Sequence, residues 1–138
     1  MRTALDTNIL SAIFSNESTA AAIAKQLYSA KGDGALLLAP AVYSELLAHP
    51  NISESFVNRF LEDTGVAVDF LLTEAVWVEA GRRFARYARR RRSGKGQPKR
   101  LLADFIIGAH ALLQADRLLT LDPTRFKQDF PDLKLLTA

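Results

Sequence analysis

The chain contains no cysteine, which excludes both a disulfide framework and a thiolate zinc site. Its only histidines, His49 and His110, are isolated from each other, so a histidine-rich metal site is excluded as well. Any metal must therefore be held by oxygen. Long apolar runs are also missing. Although 49% of the residues are hydrophobic, no uninterrupted stretch approaches the ~20 residues needed to cross a bilayer. The acid at position 6 interrupts any export signal before it starts, and the expectation is a cytoplasmic protein without membrane contact. No internal repeat is present. A length of 138 residues suits one domain spanning 1–138, long enough for a proper core.

Acid is absent from one long segment. Residues 82–100 hold ten Lys or Arg and no Asp or Glu, whereas the rest of the chain sets eight basic residues against fifteen acids. The net charge of +3 thus hides a basic strip followed by a more acidic remainder. Arg86, Arg89, Arg90, Arg91, Arg92, Lys95, Lys99 and Arg100 are the candidates for contact with a polyanion such as RNA, or with an acidic partner segment. A run of this kind is about as often a solvated helix face. The sequence Ser93-Gly-Lys-Gly lacks the spacing of a phosphate-binding loop and follows no strand.

Four acids stand in contexts able to aim a carboxylate at one point. They are Asp6 in Ala-Leu-Asp-Thr-Asn, Glu45 in Ser-Glu-Leu-Leu, Asp104 in Leu-Ala-Asp-Phe-Ile-Ile-Gly-Ala-His, and Asp122 in Leu-Thr-Leu-Asp-Pro-Thr-Arg-Phe. Carboxylates brought close together repel and take up protons unless a cation joins them. Oxygen ligands in that number suit Mg²⁺ or Mn²⁺. Each acid has a plainer reading: a helix cap for Asp6, a solvated helix residue for Glu45, a turn for Asp122. Asp104, flanked by Ala103 and Phe105 on a largely apolar helix, is harder to explain that way. His110 falls on a different helical face from Asp104 and reads as structural.

The periodicity predicts strands at Arg2–Leu5, Ala35–Ala39, Gly65–Leu72, Arg117–Thr120 and Leu133–Leu136. Helices are predicted from Ile9 to Phe14 behind a Thr7 or Asn8 cap, over Ser18–Ala30, Ala41–Ala48 and Ser53–Asp63, over Thr73–Arg92 behind a Thr73 cap, and along the apolar stripe from Leu101 to Leu113. Strands alternating with helices imply an α/β fold whose mostly parallel sheet of four or five strands is covered on both faces. Such sheets bind ligands beyond the carboxyl ends of their strands, where Asp6 and Asp122 belong.

The four segments, in order, resemble the signature of the PIN domain, and most of all the toxin ribonucleases of VapBC-type toxin–antitoxin pairs. Leu5-Asp6-Thr7-Asn8-Ile9-Leu10 is similar to the family's opening motif, Ser44-Glu45-Leu46 to its second acid, Ala103-Asp104-Phe-Ile-Ile-Gly-Ala-His-Ala111 to its third, and Thr120-Leu-Asp122 with Phe126 to its fourth. The resemblance implies a three-layer α/β/α sandwich, a Mg²⁺- or Mn²⁺-dependent endoribonuclease, frequent dimerisation and inhibition by a small antitoxin encoded alongside. The expected mechanism uses Asp6 and Asp104 as principal metal ligands, with Glu45 and Asp122 completing the set or acting through water. Thr7 and Thr120 are expected to orient carboxylates, and Asn8 either to do the same or to cap its helix. The alternatives are a catalytically silent nucleic-acid-binding module and a nuclease with a housekeeping rather than a toxic role.

Overall fold

Five short strands, β1 (Thr3–Leu5), β2 (Leu36–Leu38), β3 (Val66–Val68), β4 (Arg117–Thr120) and β5 (Leu135–Thr137), form one sheet in the order β3-β2-β1-β4-β5. Every pairing is parallel, with Ala4 opposite both Leu37 and Leu118. The computed structural model describes residues 1–94 and 96–138, which leaves Lys95 outside the described residues. The helices are α1 (Thr7–Phe14), α2 (Ala20–Asp33), α3 (Pro40–Leu47), α4 (Glu54–Thr64), α5 (Glu74–Ser93), α6 (Leu102–Gln114) and the four-residue α7 (Thr124–Lys127). The sheet lies between helical layers, as the expected α/β/α sandwich requires. None of these helices is long and apolar enough to cross a membrane, among the described residues.

Local sequence explains most of the boundaries. Ser53 caps α4 by accepting from the Phe56 N–H, and Gly65 ends the same helix with φ of 72°, a conformation in which a Cβ would be strained. Pro40 occupies the first turn of α3, where its missing N–H costs nothing. Two expected caps turn out differently. Asp6, not Thr7 or Asn8, is the cap residue of α1, because its side chain accepts from the Thr7 N–H at 2.8 Å. Thr73 precedes α5 without a side-chain cap, and its own N–H is taken by Gln114 Oε1 at 3.0 Å. The helix expected to end at Ala30 runs on to Asp33, since Gly32 is tolerated inside it and Gly34 closes it.

β1 is buried along its whole length, and Leu5, Leu38, Leu118 and Leu119 are fully enclosed. Each such side chain contributes about 2 kcal/mol of hydrophobic stabilisation. A second core region lies between α5, α6 and the C-terminal segment, where Phe84, Tyr87, Phe105, Phe126 and Phe130 pack as an aromatic cluster with centroids 5.2 to 6.4 Å apart. Gly108 lies against Phe130 so closely that a Cβ there would fall 2.4 Å from the ring. The cluster fixes the first turn of α6. The Tyr87 hydroxyl donates to Pro98 O at 2.9 Å and accepts from the Arg100 N–H at 2.6 Å, tying the approach to α6 onto α5.

The chain passes from β1 to β2 and β3 on one side, then crosses to β4 and β5 on the other. β1 and β4 therefore flank the point where strand order reverses, and the crevice beyond their carboxyl ends is the place such sheets reserve for ligands.

Candidate active site at the carboxyl edge of the sheet

Asp6 follows β1 directly, and its N–H donates to Leu119 O of β4 at 3.0 Å, so backbone pairing fixes the residue before its side chain does anything. The side chain is fully buried. Its Oδ1 accepts from the Thr7 N–H, while Oδ2 accepts from the Thr120 hydroxyl at 2.7 Å and from Arg125 Nη2. Burial pushes the Asp6 carboxyl above the ordinary carboxylate value, against the lowering influence of Arg125, Thr120 and the Thr7 N–H. A buried acid so supported keeps its orientation but still favours a nearby positive charge.

Glu45 projects from the second turn of α3. Its Oε1 accepts the Thr7 hydroxyl at 2.6 Å, which links the second acid to the residue after the first. Asp104 enters from the first turn of α6, where its Oδ2 reaches back to accept the Leu101 N–H at 3.1 Å. This is a helix-start bond of the ordinary capping kind. The other oxygen, Oδ1, lies 3.7 Å from Arg125 Nη1. Asp6, Glu45, Asp104 and Arg125 line one open, largely polar cavity of about 360 Å³, with Thr7, Asn8, Ser11 and Ser15 among its other walls.

Asp122 is not brought to this cavity. Its Oδ1 accepts the Thr124 hydroxyl at 2.8 Å, its N–H donates to Thr120 Oγ1 at 3.0 Å, and its carbonyl accepts the Arg125 N–H in a turn leading into α7. The Asp-Pro-Thr-Arg turn thus engages one oxygen of the carboxylate that the sequence placed with the other three. Among the described residues, no three acidic or histidine side chains stand close enough to share one metal ion. Asn8 faces the backbone, its Oδ1 accepting from the Leu121 N–H at 3.2 Å.

Arg125 was not a candidate in the sequence. It lies in a turn-like segment beside a proline, where an arginine ordinarily points into water, and its partner Asp6 is 119 residues away. The only signal was its place three residues after Asp122 in a segment already singled out.

The basic strip divides. Arg83 and Arg90 are engaged internally: Arg83 grips the Asp132 carboxylate, and Arg90 Nη2 donates to Asp129 Oδ1 at 2.5 Å. Arg86, Arg89, Arg91, Arg92, Lys99 and Arg100 form no ion pair among the described residues. Arg91, Arg92 and Arg100 line a groove of about 400 Å³ over Phe84 and Tyr87. Arg100 also borders a narrow gap lined by Asp104 and Arg125, which brings one end of the strip beside the acidic cavity. Lys95 lies outside the described residues. His110 is buried away from the cavity and bonds Asp69 Oδ2 through Nε2 at 3.0 Å.

Comparison with known proteins agrees with the fold. The structure of VapBC2 from Rickettsia felis bound to a DNA fragment from their promoter contains a chain that superposes with a TM-score of 0.73 at 20% identity, covering 100% of this chain and 99% of that one. VapBC-1 of nontypeable Haemophilus influenzae gives 0.69 at 23% identity, with 99% and 98% covered. DNA-bound VapBC of Salmonella typhimurium gives 0.67 at 17%, also with 99% and 98% covered. None of the curated proteins matches. The family model of the PIN domain matches residues 3–129, nearly the whole chain, and the protein belongs to the PIN domain family.

Proposed function

We propose that this PIN domain is a Mg²⁺- or Mn²⁺-dependent endoribonuclease, the toxin of a VapBC-type pair whose partner is a small antitoxin. The observation that carries the reading is the convergence of Asp6, Glu45 and Asp104, from three distant segments, on one cavity at the switch point of a parallel sheet. The donors fit such an ion by type, since all are hard oxygens, and Asp6 and Asp104 already hold a cation between them in the Arg125 guanidinium. Asp6 and Asp104 would be the principal ligands, with Glu45 acting through water. Asp122, outside the cavity, is left a role through water. When bound, the ion supplies Lewis-acid polarisation and a nucleophile at neutral pH.

The remaining work falls to the protein. Thr120 and the Thr7 N–H hold the Asp6 carboxylate in one orientation, and the Thr7 hydroxyl does the same for Glu45. Asn8 secures the β4 exit on which Thr120 sits. The unpaired arginines of α5, with Lys99 and Arg100, supply charge for the RNA backbone next to the cavity. Likeness over almost the full chain to components of three VapBC complexes supports the toxin reading and the antitoxin partner, and pairing with a second copy belongs to the same proposal.

One observation favours the rival, a silent binding module: the guanidinium of Arg125 stands where a metal-bridging reading puts an ion. The deciding experiment is cleavage of a mixed structured RNA by purified protein with Mg²⁺, Mn²⁺ or EDTA, beside Asp104→Asn. Cleavage that needs the metal and disappears in the variant is expected. Metal-independent binding without cleavage would move the binding module ahead. Growth arrest on expression, relieved by a neighbouring small gene, separates a toxin from a housekeeping nuclease.

A further inference from the structure

Arg125 is the least satisfied charged group in the site. A guanidinium carries five N–H donors. Here one of them donates to Asp6 Oδ2, Nη1 stands 3.7 Å from Asp104 Oδ1, and Nε is buried without a hydrogen-bond partner among the described residues. The planar group also lies over the Phe126 ring at 5.1 Å, an arrangement that holds its plane while leaving the remaining donors at its edge. The four-residue helix α7 that carries it is tied to the body through Phe126, which is buried, and through backbone bonds to Asp122 and Pro123. Its base is fixed, and its head is held by the Asp6 bond and the ring contact.

An ion on Asp6 and the Arg125 guanidinium cannot share Oδ2, because that oxygen already accepts from Thr120 and the two cations repel. A planar fork with free donors beside a site for phosphodiester chemistry matches a phosphate oxygen pair better than it matches a single carboxylate oxygen. Resting on the nuclease reading above, we propose that Arg125 is a catalytic residue with two alternate partners. Without a bound ion it is the counter-ion of Asp6 and Asp104; on ion loading it leaves Asp6 and donates to the scissile phosphate, stabilising the charge that develops there. The second positive centre of the reaction is then a side chain of this domain.

The test pairs metal affinity with cleavage. Mn²⁺ affinity of the full-length protein is measured by calorimetry for wild type, Arg125→Gln and Arg125→Lys, and RNA cleavage is followed at saturating Mn²⁺. Removing the competing charge should tighten Mn²⁺ binding in Arg125→Gln by on the order of tenfold, the worth of one charge-assisted hydrogen bond. Cleavage should fall by about 10²–10³, as when one transition-state donor is removed. Arg125→Lys keeps the charge without the fork, so Mn²⁺ affinity should stay near wild type while cleavage falls at least about tenfold.

A merely structural Arg125 predicts the opposite sign: without it Asp6 and Asp104 spread apart and Mn²⁺ binds more weakly. That result, or unchanged cleavage in either variant, overturns the proposal. If Arg125→Gln does not fold, the lysine variant decides alone, since wild-type cleavage by Arg125→Lys removes any need for the fork. A wild-type protein that neither binds Mn²⁺ nor cleaves removes the nuclease reading and this role together. A wild type that does both, beside variants that match it, removes only the role of Arg125.

Discussion

Arg83 holds Asp132 with both arms of its fork, Nη1 to Oδ1 at 2.7 Å and Nη2 to Oδ2 at 2.9 Å, while donating from Nη1 to Asp129 O at 3.1 Å and covering the Phe130 ring at 4.7 Å. One residue of the basic strip therefore fastens the C-terminal segment to α5. The clamp stands behind Phe130, which packs against Phe105 in the first turn of α6, so it supports Asp104 from a distance.

Arg83→Ala is expected to cost about 2 kcal/mol, summed from a bidentate charged bond, a cation–π contact and the packing of a long side chain. Asp132→Asn should cost less than half of that, because the Asp132 side chain is 54% exposed and water screens the pair. The bond from Arg83 holds the Asp132 carboxyl below the usual carboxylate range. A depressed carboxyl stabilises the fold above its unfolded pKa and loses that contribution as pH falls through the lower folded one. The loss should appear below about pH 4. Urea unfolding of the wild type and both variants between pH 3 and pH 7 checks the order and the window; equal stabilities would remove the clamp.

His110 gives a second pH dependence at a higher value. Burial lowers its pKa, opposed by the bond to Asp69 and assisted by Arg2, and its Nδ1 has no hydrogen-bond partner among the described residues. The unfolded chain then takes up a proton near pH 6.5 while the folded one does not, so stability falls as pH drops below 6.5 until the folded histidine itself protonates. His110→Gln should flatten the stability curve between pH 7.5 and pH 5. A slope identical to wild type would assign the acid sensitivity elsewhere.

Gly108→Ala sets two effects against each other. Alanine favours a helix interior by up to about 1 kcal/mol over glycine. The added Cβ, however, would stand 2.4 Å from Phe130 Cε2, and a buried ring cannot withdraw as a surface side chain can. Overpacking of this kind costs typically 1–3 kcal/mol, so net destabilisation is expected. A thermal midpoint raised by the substitution would show that α6 and Phe130 separate without cost.

Much of this architecture is legible in the sequence because it rests on patterns of residue type. The apolar run that stops at Asp6, the strand Arg117–Thr120 and the stripe along α6 are periodicities, and they put Asp6 and Asp104 at the sheet edge before any side chain is placed. What stays hidden depends on which partner a side chain selects. Asp122 and Arg125 share one turn, yet Asp122 bonds Thr124 two residues on while Arg125 crosses to Asp6. Nothing in residue type tells the two choices apart. The cluster of Asp69, His110 and Gln114 is invisible for a similar reason, since it joins the end of β3 to the far half of α6 across separations of 41 and 45 residues. Arg90 looks equivalent to Arg89 and Arg91 in the run, and only helix phase turns it toward Asp129.

That last distinction yields a test of the strip. Arg89, Arg91 and Arg92 are exposed, whereas Arg90 is partly buried on Asp129. If the run tracks the RNA backbone, the triple change of Arg89, Arg91 and Arg92 to alanine should weaken RNA binding and reduce the slope of log affinity against log salt by about 0.7 for each phosphate no longer neutralised, leaving Mn²⁺ affinity untouched. Arg90→Ala should do the reverse, lowering stability by about 1–2 kcal/mol through the unpaired Asp129 while moving the salt slope little. Binding is measured with Ca²⁺ in place of Mn²⁺, so that affinity is read apart from turnover. An RNA affinity and salt slope unchanged in the triple variant would take the strip away from the substrate; weaker antitoxin binding by that same variant would then give it to the protein partner, through the same fork-to-carboxylate pairing that Arg83 makes with Asp132.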